Sequence, residues 1–347
     1  RPHTAISDPP HLGPISYHLV VNWDEIRDAV TAYVDDVEAG RTIAGRWIYA
    51  ACRRFRTDMQ RADIYMDWNE VAALQAHFNG LTLVGDDSGK AFTLRPWQLW
   101  VMANLWGWRW RADGRRRVKI GILQVARGNG KTTLAAGLAL YDMLSGTGRR
   151  VHCIANNEEQ AAICLDTART MLRRQQREGV RVLWDRIEIP ANDCVMTGLP
   201  AQERALDGLN PSFWIADEAA EFKGRFLTKL LTTGSKRKES LGLIITTPGS
   251  NPENIYGEMV GNAEAILKGE VEDDTVFAAL YGIDPADTPD DEAAWPKANP
   301  GMEFEQPDRA SDTRSGEWLG HTSDCFADRH LGDAEREGGA QHPLTSN

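Results

Sequence analysis

The sequence predicts an α/β fold in which a mostly parallel β-sheet is flanked by helices, with a helical extension before it. Three observations predict this fold: near-continuous apolar runs of strand length, helical periodicity between those runs, and a separate helical region near the amino end. The chain has 347 residues, 42% of them hydrophobic, including 12 tryptophans. This length is sufficient for one large α/β domain and an additional part.

Amphipathic helices are expected before the sheet. In the first of them, Ile26, Val30 and Val37 recur at the spacing of one helix face. Pro96 stands where a first helical turn accepts proline, because the missing amide proton has no partner there. The expected helical segments are residues 23–40, 42–60, 68–78 and a segment that begins at Pro96.

Strands then alternate with helices in the central part of the sequence. Helices between successive strands imply right-handed crossovers and a parallel sheet that is covered on both faces. The expected strands are residues 118–125, 150–155, 181–189, 194–199, 212–217, 241–247 and 274–284. The helices expected among them follow the glycine-rich segment near residue 130 and occupy residues 158–176 and 251–269. From Pro285 onward periodicity is weak, and the last forty or so residues are expected to be either poorly ordered or a fold fragment that lacks its partner strands.

Composition excludes several classes of protein. The five cysteines include no C-x-x-C pair, which argues against a disulfide framework and a zinc site. No apolar run is long enough to span a membrane, and the polar start lacks a secretory segment, so a soluble intracellular protein without a membrane partner is expected.

The net charge is −11, but residues 284–347 carry 15 acidic and 5 basic residues, so the remainder is nearly neutral. Basic clusters in that remainder either contact phosphates or form solvated faces.

The segment QVARGNGKTT, residues 124–133, resembles a phosphate-binding loop that lacks its first glycine. In the pattern G-x-x-x-x-G-K-[ST], that glycine would occupy the position of Val125. The segment nevertheless lies between a predicted strand and a predicted helix, which is the context that such a loop requires. The residues expected to bind nucleotide here are Gly128, Asn129, Gly130, Lys131, Thr132 and Thr133.

Each polar group of this loop has an expected role. Backbone amides from Gly130 onward would face the β-phosphate at the positive end of a helix. Lys131 would bridge the β- and γ-phosphates, and Thr132 would hold Mg²⁺. ATP and Mg²⁺ are therefore the expected ligands.

Polar residues follow two further strands of the predicted sheet. Asp217 and Glu218 end a buried strand, where Asp217 would reach Mg²⁺ and Glu218 would orient and deprotonate the attacking water. Thr246 and Thr247 end another strand, where they would either sense the γ-phosphate or form a plain strand cap. Gln98 would read an adenine edge with its amide.

An ordered series of motifs resembles the large terminase subunit of tailed double-stranded DNA phages. The resemblance extends from about residue 30 to residue 301. It rests on LRPWQLWVMANLWGW, VARGNGKTT, CIANNEEQA, DGLNPSFWIADEAAEF, LIITTPG and DDTVFAALYGID followed by WPKANPG. This family implies a P-loop ATPase fold of the RecA-like, additional-strand catalytic-glutamate type. It also implies a division into a helical extension (residues 1–92), the ATPase domain (93–262), and a linker with the start of a truncated, partly disordered nuclease-like region (263–347).

The resemblance assigns the adenine-reading glutamine to Gln98, the phosphate and metal ligands to Lys131 and Thr132, and the coupling motif to Thr246 and Thr247. Asp217 and Glu218 match the acidic pair of the second nucleotide motif. The family tolerates loss of the first loop glycine and commonly has an arginine within the loop, as Arg127 is here. Arg127 would brace the γ-phosphate or act on it during hydrolysis; the alternative is a loop arginine paired with a nearby carboxylate.

Two features depart from the family pattern. Nothing after Gly301 resembles the acidic metal ligands of the family's nuclease, so nuclease activity is not expected in this chain. Where many members have an arginine that acts on a neighbour's ATP, this sequence has Asp207, so Arg204 or Arg237 would have to replace it.

The resemblance implies a motor that hydrolyses Mg-ATP to package viral double-stranded DNA into procapsids. The implied partners are double-stranded DNA, the portal protein, the small terminase subunit and further copies of the chain in a ring. The implied location is the host cytoplasm and, transiently, the portal vertex. Two alternatives remain open: a helicase-like DNA-remodelling ATPase, and a truncated prophage remnant that only binds nucleotide.

Overall fold

The computed structural model describes residues 22–85, 87–175, 177–248, 255–288 and 290–302. The polar start of the chain and the acidic tail after residue 302 lie outside the described residues. The predictions for those two segments, including the poorly ordered tail, therefore remain predictions.

The first three helices of the described residues lie before the main sheet, as the sequence predicts: α1 (Trp23–Glu38), α2 (Arg46–Met59) and α3 (Trp68–Asn79). The side chain of Asn22 accepts a hydrogen bond from the Asp24 amide, and Asp67 caps α3 in the same way. These caps satisfy amides that have no partner within the helix. The apolar face of α1 is buried, so the three helices extend the hydrophobic core.

Helix α4 (Pro96–Met102) begins at the predicted proline and continues into a π-helical turn, Ala103–Gly107. Strand β2 (Trp108–Trp110) follows directly and pairs antiparallel with β1 (Ile64–Met66). The sequence does not predict this two-stranded sheet, because three-residue strands are too short to show an alternation of apolar and polar residues.

In the part of the chain that the structure describes, the main sheet has eight strands, whose ranges are given below, in the order β10-β3-β9-β8-β4-β7-β6-β5. Six of them are parallel, while β6 and β5 add an antiparallel edge. The strands are β3 (Ile120–Gln124), β4 (Arg150–Ala155), β5 (Arg181–Val182), β6 (Arg186–Ile189), β7 (Cys194–Pro200), β8 (Phe213–Asp217), β9 (Leu241–Thr246) and β10 (Val276–Leu280). The predicted, mostly parallel sheet is thus confirmed.

Helices cover both faces of this sheet. They are α5 (Lys131–Leu144), α6 (Glu158–Gln175), α7 (Gly224–Thr232) and α8 (Ile255–Lys268). Successive strand residues point to opposite faces, so in β8 Phe213 packs with α5 and α6 while Trp214 packs with α7 and α8. Because a hydrophobic layer covers each face of the sheet, the central strands have continuous apolar sequences. Among the described residues, no helix has the length and apolarity needed to cross a membrane.

The order of the central strands confirms the predicted fold class. Strand β9 is inserted between β3, which precedes the glycine loop, and β8, which ends in the acidic pair. This inserted strand is the additional strand of the predicted class. The division at residues 92 and 262 stays a prediction. Strand β10, although it follows residue 262, is hydrogen bonded to β3 in the main sheet.

Candidate nucleotide site

The carboxyl ends of three neighbouring strands form the candidate site. In register, Gln124 of β3 pairs with Thr246 of β9, and Asp217 of β8 pairs with Ile245 of β9. The glycine loop, the acidic pair and the threonine pair therefore meet at one edge of the sheet. Ligands of open parallel sheets bind at this edge.

The glycine loop owes its shape to two glycines with left-handed backbones. Gly128 has a φ of 82°, and Gly130, which precedes α5, has a φ of 72°. These angles are unfavourable for residues with a Cβ atom. Val125 occupies the place of the missing first glycine, where it is fully buried and its amide donates a hydrogen bond to the Thr246 carbonyl at 3.1 Å. Valine thus extends the sheet by one residue, and the turn is left to the later glycines.

Lys131 lies inside the loop. Its Nζ donates hydrogen bonds to the carbonyls of Val125 and Ala126, each at 3.2 Å, and lies 3.9 Å from Oε1 of Glu218. The ammonium group is therefore held among the oxygens of the loop and the carboxylate of β8. This is the position from which a lysine can reach bound phosphates.

Asp217 and Thr132 form the pair predicted to hold the metal ion. Burial is the main cause that raises the pKa of Asp217 to about 6, and the charge of Glu218 adds to the rise, whereas the charge of Lys131 and a hydrogen bond from Thr132 oppose it. The carboxylate is still largely ionised near neutral pH. A hydroxyl and a carboxylate side by side fit Mg²⁺, which prefers oxygen ligands and binds through few protein groups together with phosphates.

Glu218 is held by the threonines at the end of β9. Its Oε2 accepts hydrogen bonds from Thr246 Oγ1 at 3.2 Å, the Thr247 amide at 3.1 Å and Thr247 Oγ1 at 3.0 Å. The Glu218 backbone is left-handed, with a φ of 52°. Such a conformation is uncommon for a residue with a Cβ atom and persists only where the surroundings stabilise it.

Gln98 lies in the first turn of α4, where its side chain has a structural partner. Its Oε1 accepts a hydrogen bond from the Arg95 amide at 2.9 Å, which satisfies a backbone donor at the start of the helix. The neighbouring Trp97 is buried and packs edge-on against Tyr281. Trp97 is therefore a core residue, and the role of Gln98 toward adenine stays a prediction.

The three predicted arginines differ in their surroundings. Arg127 is exposed, and no carboxylate in the described ranges lies within ion-pair distance of it. Arg204 is exposed in a short turn after β7, on the same edge of the sheet as the loop. Arg237 precedes β9, at the amino ends of the parallel strands and opposite the glycine loop. There it donates hydrogen bonds to the carbonyls of Asn210 and Gly148. The structure thus places Arg237 away from the loop of its own chain.

Sequence reasoning gave no role to two residues that contact the loop. Asn299 and Gly301, in the ANPG motif, are hydrogen bonded to Asn129. The motif was noticeable in the sequence, but no pattern indicated its contact with a loop 170 residues away.

Comparison with known proteins agrees with this fold. Residues 96–265 match the family model described as the ATPase domain of the terminase large subunit. The fold is similar to that of the large terminase of bacteriophage HK97, with 21% identity, a TM-score of 0.58, and coverage of 73% of this chain and 54% of that one. The chain thus matches about half the length of the HK97 protein.

A second solved structure, the N-terminal domain of the DNA packaging ATPase from bacteriophage phi29, has 15% identity and a TM-score of 0.37, over 47% of this chain and 90% of that one. No curated protein matches the sequence significantly. The family match includes the glycine loop, both acidic residues and both threonines. Residues 96–265 are therefore similar to the ATPase domain of the terminase large-subunit family.

Proposed function

We propose that this chain binds Mg-ATP at the carboxyl edge of the sheet and hydrolyses it to drive packaging of viral double-stranded DNA into procapsids. The observation that carries the proposal is the convergence of Lys131, Asp217 and Glu218 on the glycine loop, within a domain of the terminase ATPase family. A lysine, a metal-binding carboxylate and a second carboxylate in this arrangement suit phosphoryl transfer to water.

Each side chain has a defined part in the proposed reaction. Lys131 binds the β- and γ-phosphates, and the loop amides from Gly128 to Thr133 surround them. Glu218 accepts the proton of the water that attacks the γ-phosphorus, while the bond to the β-phosphate oxygen breaks and ADP leaves. Thr132 and Asp217 would hold Mg²⁺, which neutralises phosphate charge when bound. Gln98 would contact the base, and Thr246 and Thr247 would link Glu218 to a moving element.

The proposed partners follow from the family. They are double-stranded DNA, the portal protein, the small terminase subunit and other copies of this chain in a ring. The proposed location is the host cytoplasm and the portal vertex. An arginine acting on a neighbouring subunit would be Arg204, because it is exposed at the edge where the loop lies, whereas Arg237 is engaged with backbone carbonyls at the other edge.

ATP turnover with and without duplex DNA tests the proposal. We expect turnover by the wild type and a fall of about a hundredfold or more for Lys131→Ala and Glu218→Gln, which is the effect typical of removing a phosphate-binding cation or a general base. Lys236→Ala and Glu258→Gln change exposed residues elsewhere in the described chain and serve as matched controls. Turnover that neither Lys131→Ala nor Glu218→Gln reduces would refute the assigned roles.

A further inference from the structure

The segment of residues 298–301, with the sequence ANPG, lies directly against the glycine loop. It begins at the last residue of the short helix α9 (Trp295–Ala298). The Ala126 amide donates a hydrogen bond to the Ala298 carbonyl at 3.3 Å. This backbone contact joins the start of the loop to a part of the chain that follows the last strand of the sheet.

Side-chain contacts strengthen this connection. Asn129 Nδ2 donates a hydrogen bond to Asn299 Oδ1 at 3.1 Å, and the Gly301 amide donates to Asn129 Oδ1 at 3.1 Å. Both ends of the Asn129 amide are thus held by the same segment. Asn129 and Asn299 are buried, with exposed fractions of 7% and 2%. Buried amides without partners would be costly, so these contacts define the position of Asn129.

Asn129 in turn determines the shape of the loop. Its Nδ2 lies within hydrogen-bonding distance of the carbonyls of Ala126 and Arg127, at 3.1 and 3.3 Å. The Ala126 carbonyl also accepts a hydrogen bond from Lys131 Nζ. A chain of contacts therefore leads from Asn299 through Asn129 to the carbonyls that surround the lysine.

Gly301 occupies a position where a side chain would disturb the same contacts. A Cβ atom there would lie 2.7 Å from a terminal nitrogen of Arg95 and 2.9 Å from Asn129 Oδ1. The Gly301 carbonyl accepts a hydrogen bond from Arg95 at 2.6 Å. Arg95 also precedes α4, so the segment contacts the loop and the helix that carries Gln98.

We propose that Asn299 and Gly301 are positioning residues for nucleotide binding, which hold Asn129 and thereby the glycine loop in the shape that receives phosphates. This inference rests on the proposed ATPase function. Because the contacts are mutual, bound nucleotide that fixes the loop also fixes residues 298–301. The segment is thus a direct connection between the nucleotide loop and the chain that follows residue 302.

Two variants and one control test the proposal in the full chain. Asn299→Ala removes the acceptor for Asn129, and Gly301→Ala introduces the obstructing Cβ atom. We expect the Kd for a fluorescent ADP analogue and the KM for ATP to rise about tenfold, the effect typical of leaving one buried amide unpaired, with kcat within about twofold of the wild type. Asn262→Ala, at an exposed position of α8, should change none of these values.

A double-mutant cycle shows whether the two asparagines act together. Asn129→Ala and Asn299→Ala combined should weaken binding little more than Asn129→Ala alone. Fully additive effects would contradict the proposal. So would a normal Kd and KM in Asn299→Ala, even if its Tm were lower, because a purely structural role changes only Tm.

Amide hydrogen exchange in the wild type provides a test that needs no variant. We expect exchange at residues 298–302 to slow when ADP and Mg²⁺ are added, and unchanged exchange in nucleotide-saturated protein would overturn the proposal. Failure of the proposed function has a different signature: the wild type itself would bind no ADP analogue.

Discussion

Glu218 combines an unusual backbone with three hydrogen bonds to one carboxylate oxygen. A left-handed conformation at a residue with a Cβ atom persists only where the surroundings stabilise it. The threonines at the end of β9 supply that stabilisation, since both hydroxyls and one amide face Glu218 Oε2. The proposed coupling residues therefore contact the proposed catalytic carboxylate directly.

Thr247→Val should reduce kcat about tenfold while KM for ATP stays within about twofold. The substitution removes one of three donors to Glu218 and leaves the glycine loop intact, so orientation of the proposed base suffers and phosphate binding does not. Steady-state ATPase kinetics measure both values. Thr167→Val is the matched control, because that hydroxyl bonds only to the carbonyl one turn earlier on the surface of α6. A normal kcat in Thr247→Val would show that the contact has no role in turnover.

Arg127 is available for phosphate because it is exposed and unpaired within the described ranges. Arg127→Ala should therefore leave ATP affinity within about threefold and lower kcat about tenfold or more, as loss of a cation near developing phosphate charge does. Single-turnover hydrolysis together with nucleotide titration separates the two effects. Arg53→Ala, an exposed arginine on α2, should behave as the wild type. If Arg127→Ala both binds and hydrolyses ATP normally, Arg127 is an ordinary loop residue.

Among the elements, helix α5 follows the glycine loop and packs closely against α3 on one side. Gly137 lies at its middle, and a Cβ atom there would overlap the ring of Phe78 on α3. A helical glycine normally costs stability relative to alanine, so its presence here reflects the close approach of the two helices. Gly261 on α8 provides the contrast, because its Cβ would meet no atom within 4 Å.

The two glycines should respond oppositely to substitution by alanine. Gly261→Ala should stabilise the protein by about 0.5–1 kcal/mol, the helix-propensity difference between the two residues. Gly137→Ala should destabilise it by about 1–3 kcal/mol, because the overlap with Phe78 outweighs that gain. Chemical denaturation measures both free energies of unfolding. Equal stabilisation by the two substitutions would show that α3 moves freely away from α5.

Elements in which apolar residues recur at a regular spacing were predictable from the sequence, and elements that depend on contacts between distant residues were not. Helix α1 and strands β4 and β8 lie where the apolar pattern places them, within a residue or two. The short β1–β2 pair and the π-helical turn have no local signature. The site divides similarly: the loop, the acidic pair and the threonines follow from strand ends, whereas Asn299 contacts Asn129 only because of the tertiary fold.

For the whole molecule, the helices before the sheet and the sheet itself share one hydrophobic core. Tyr33 of α1 is hydrogen bonded to Tyr281, which directly follows β10. The sequence could predict these elements but not that distant parts of the chain pack together, because strand order depends on long-range pairing. Groups buried between α3 and the sheet-covering helix α5 therefore report on the stability of this shared core.

His77 is such a group, and it makes stability depend on pH. It is fully buried on α3, its Nε2 is hydrogen bonded to the Gly137 carbonyl at 3.0 Å, and burial lowers its pKa to about 3 from 6.5, although the hydrogen bond opposes the shift. A carbonyl only accepts, so Nε2 donates, and the lowered pKa keeps the ring neutral at neutral pH. The unfolded chain binds a proton below about pH 6.5, which the folded chain does not accept until about pH 3. The contribution of His77 to the free energy of unfolding is therefore complete above about pH 6.5 and is lost as the pH falls toward about 3.

His77→Gln retains a donor for Gly137 but cannot titrate. Between about pH 7 and about pH 5, the wild type should lose about 2 kcal/mol more unfolding free energy than the variant, as linkage requires for this pKa difference. His152, whose pKa burial lowers to about 4, is present in both proteins, so its contribution cancels in the comparison. Urea denaturation at several pH values gives the two curves. If the unfolding free energies of the two proteins changed equally with pH, His77 would become protonated in the folded protein between about pH 7 and about pH 5. The contact between α3 and α5 would then have to open to admit the charge.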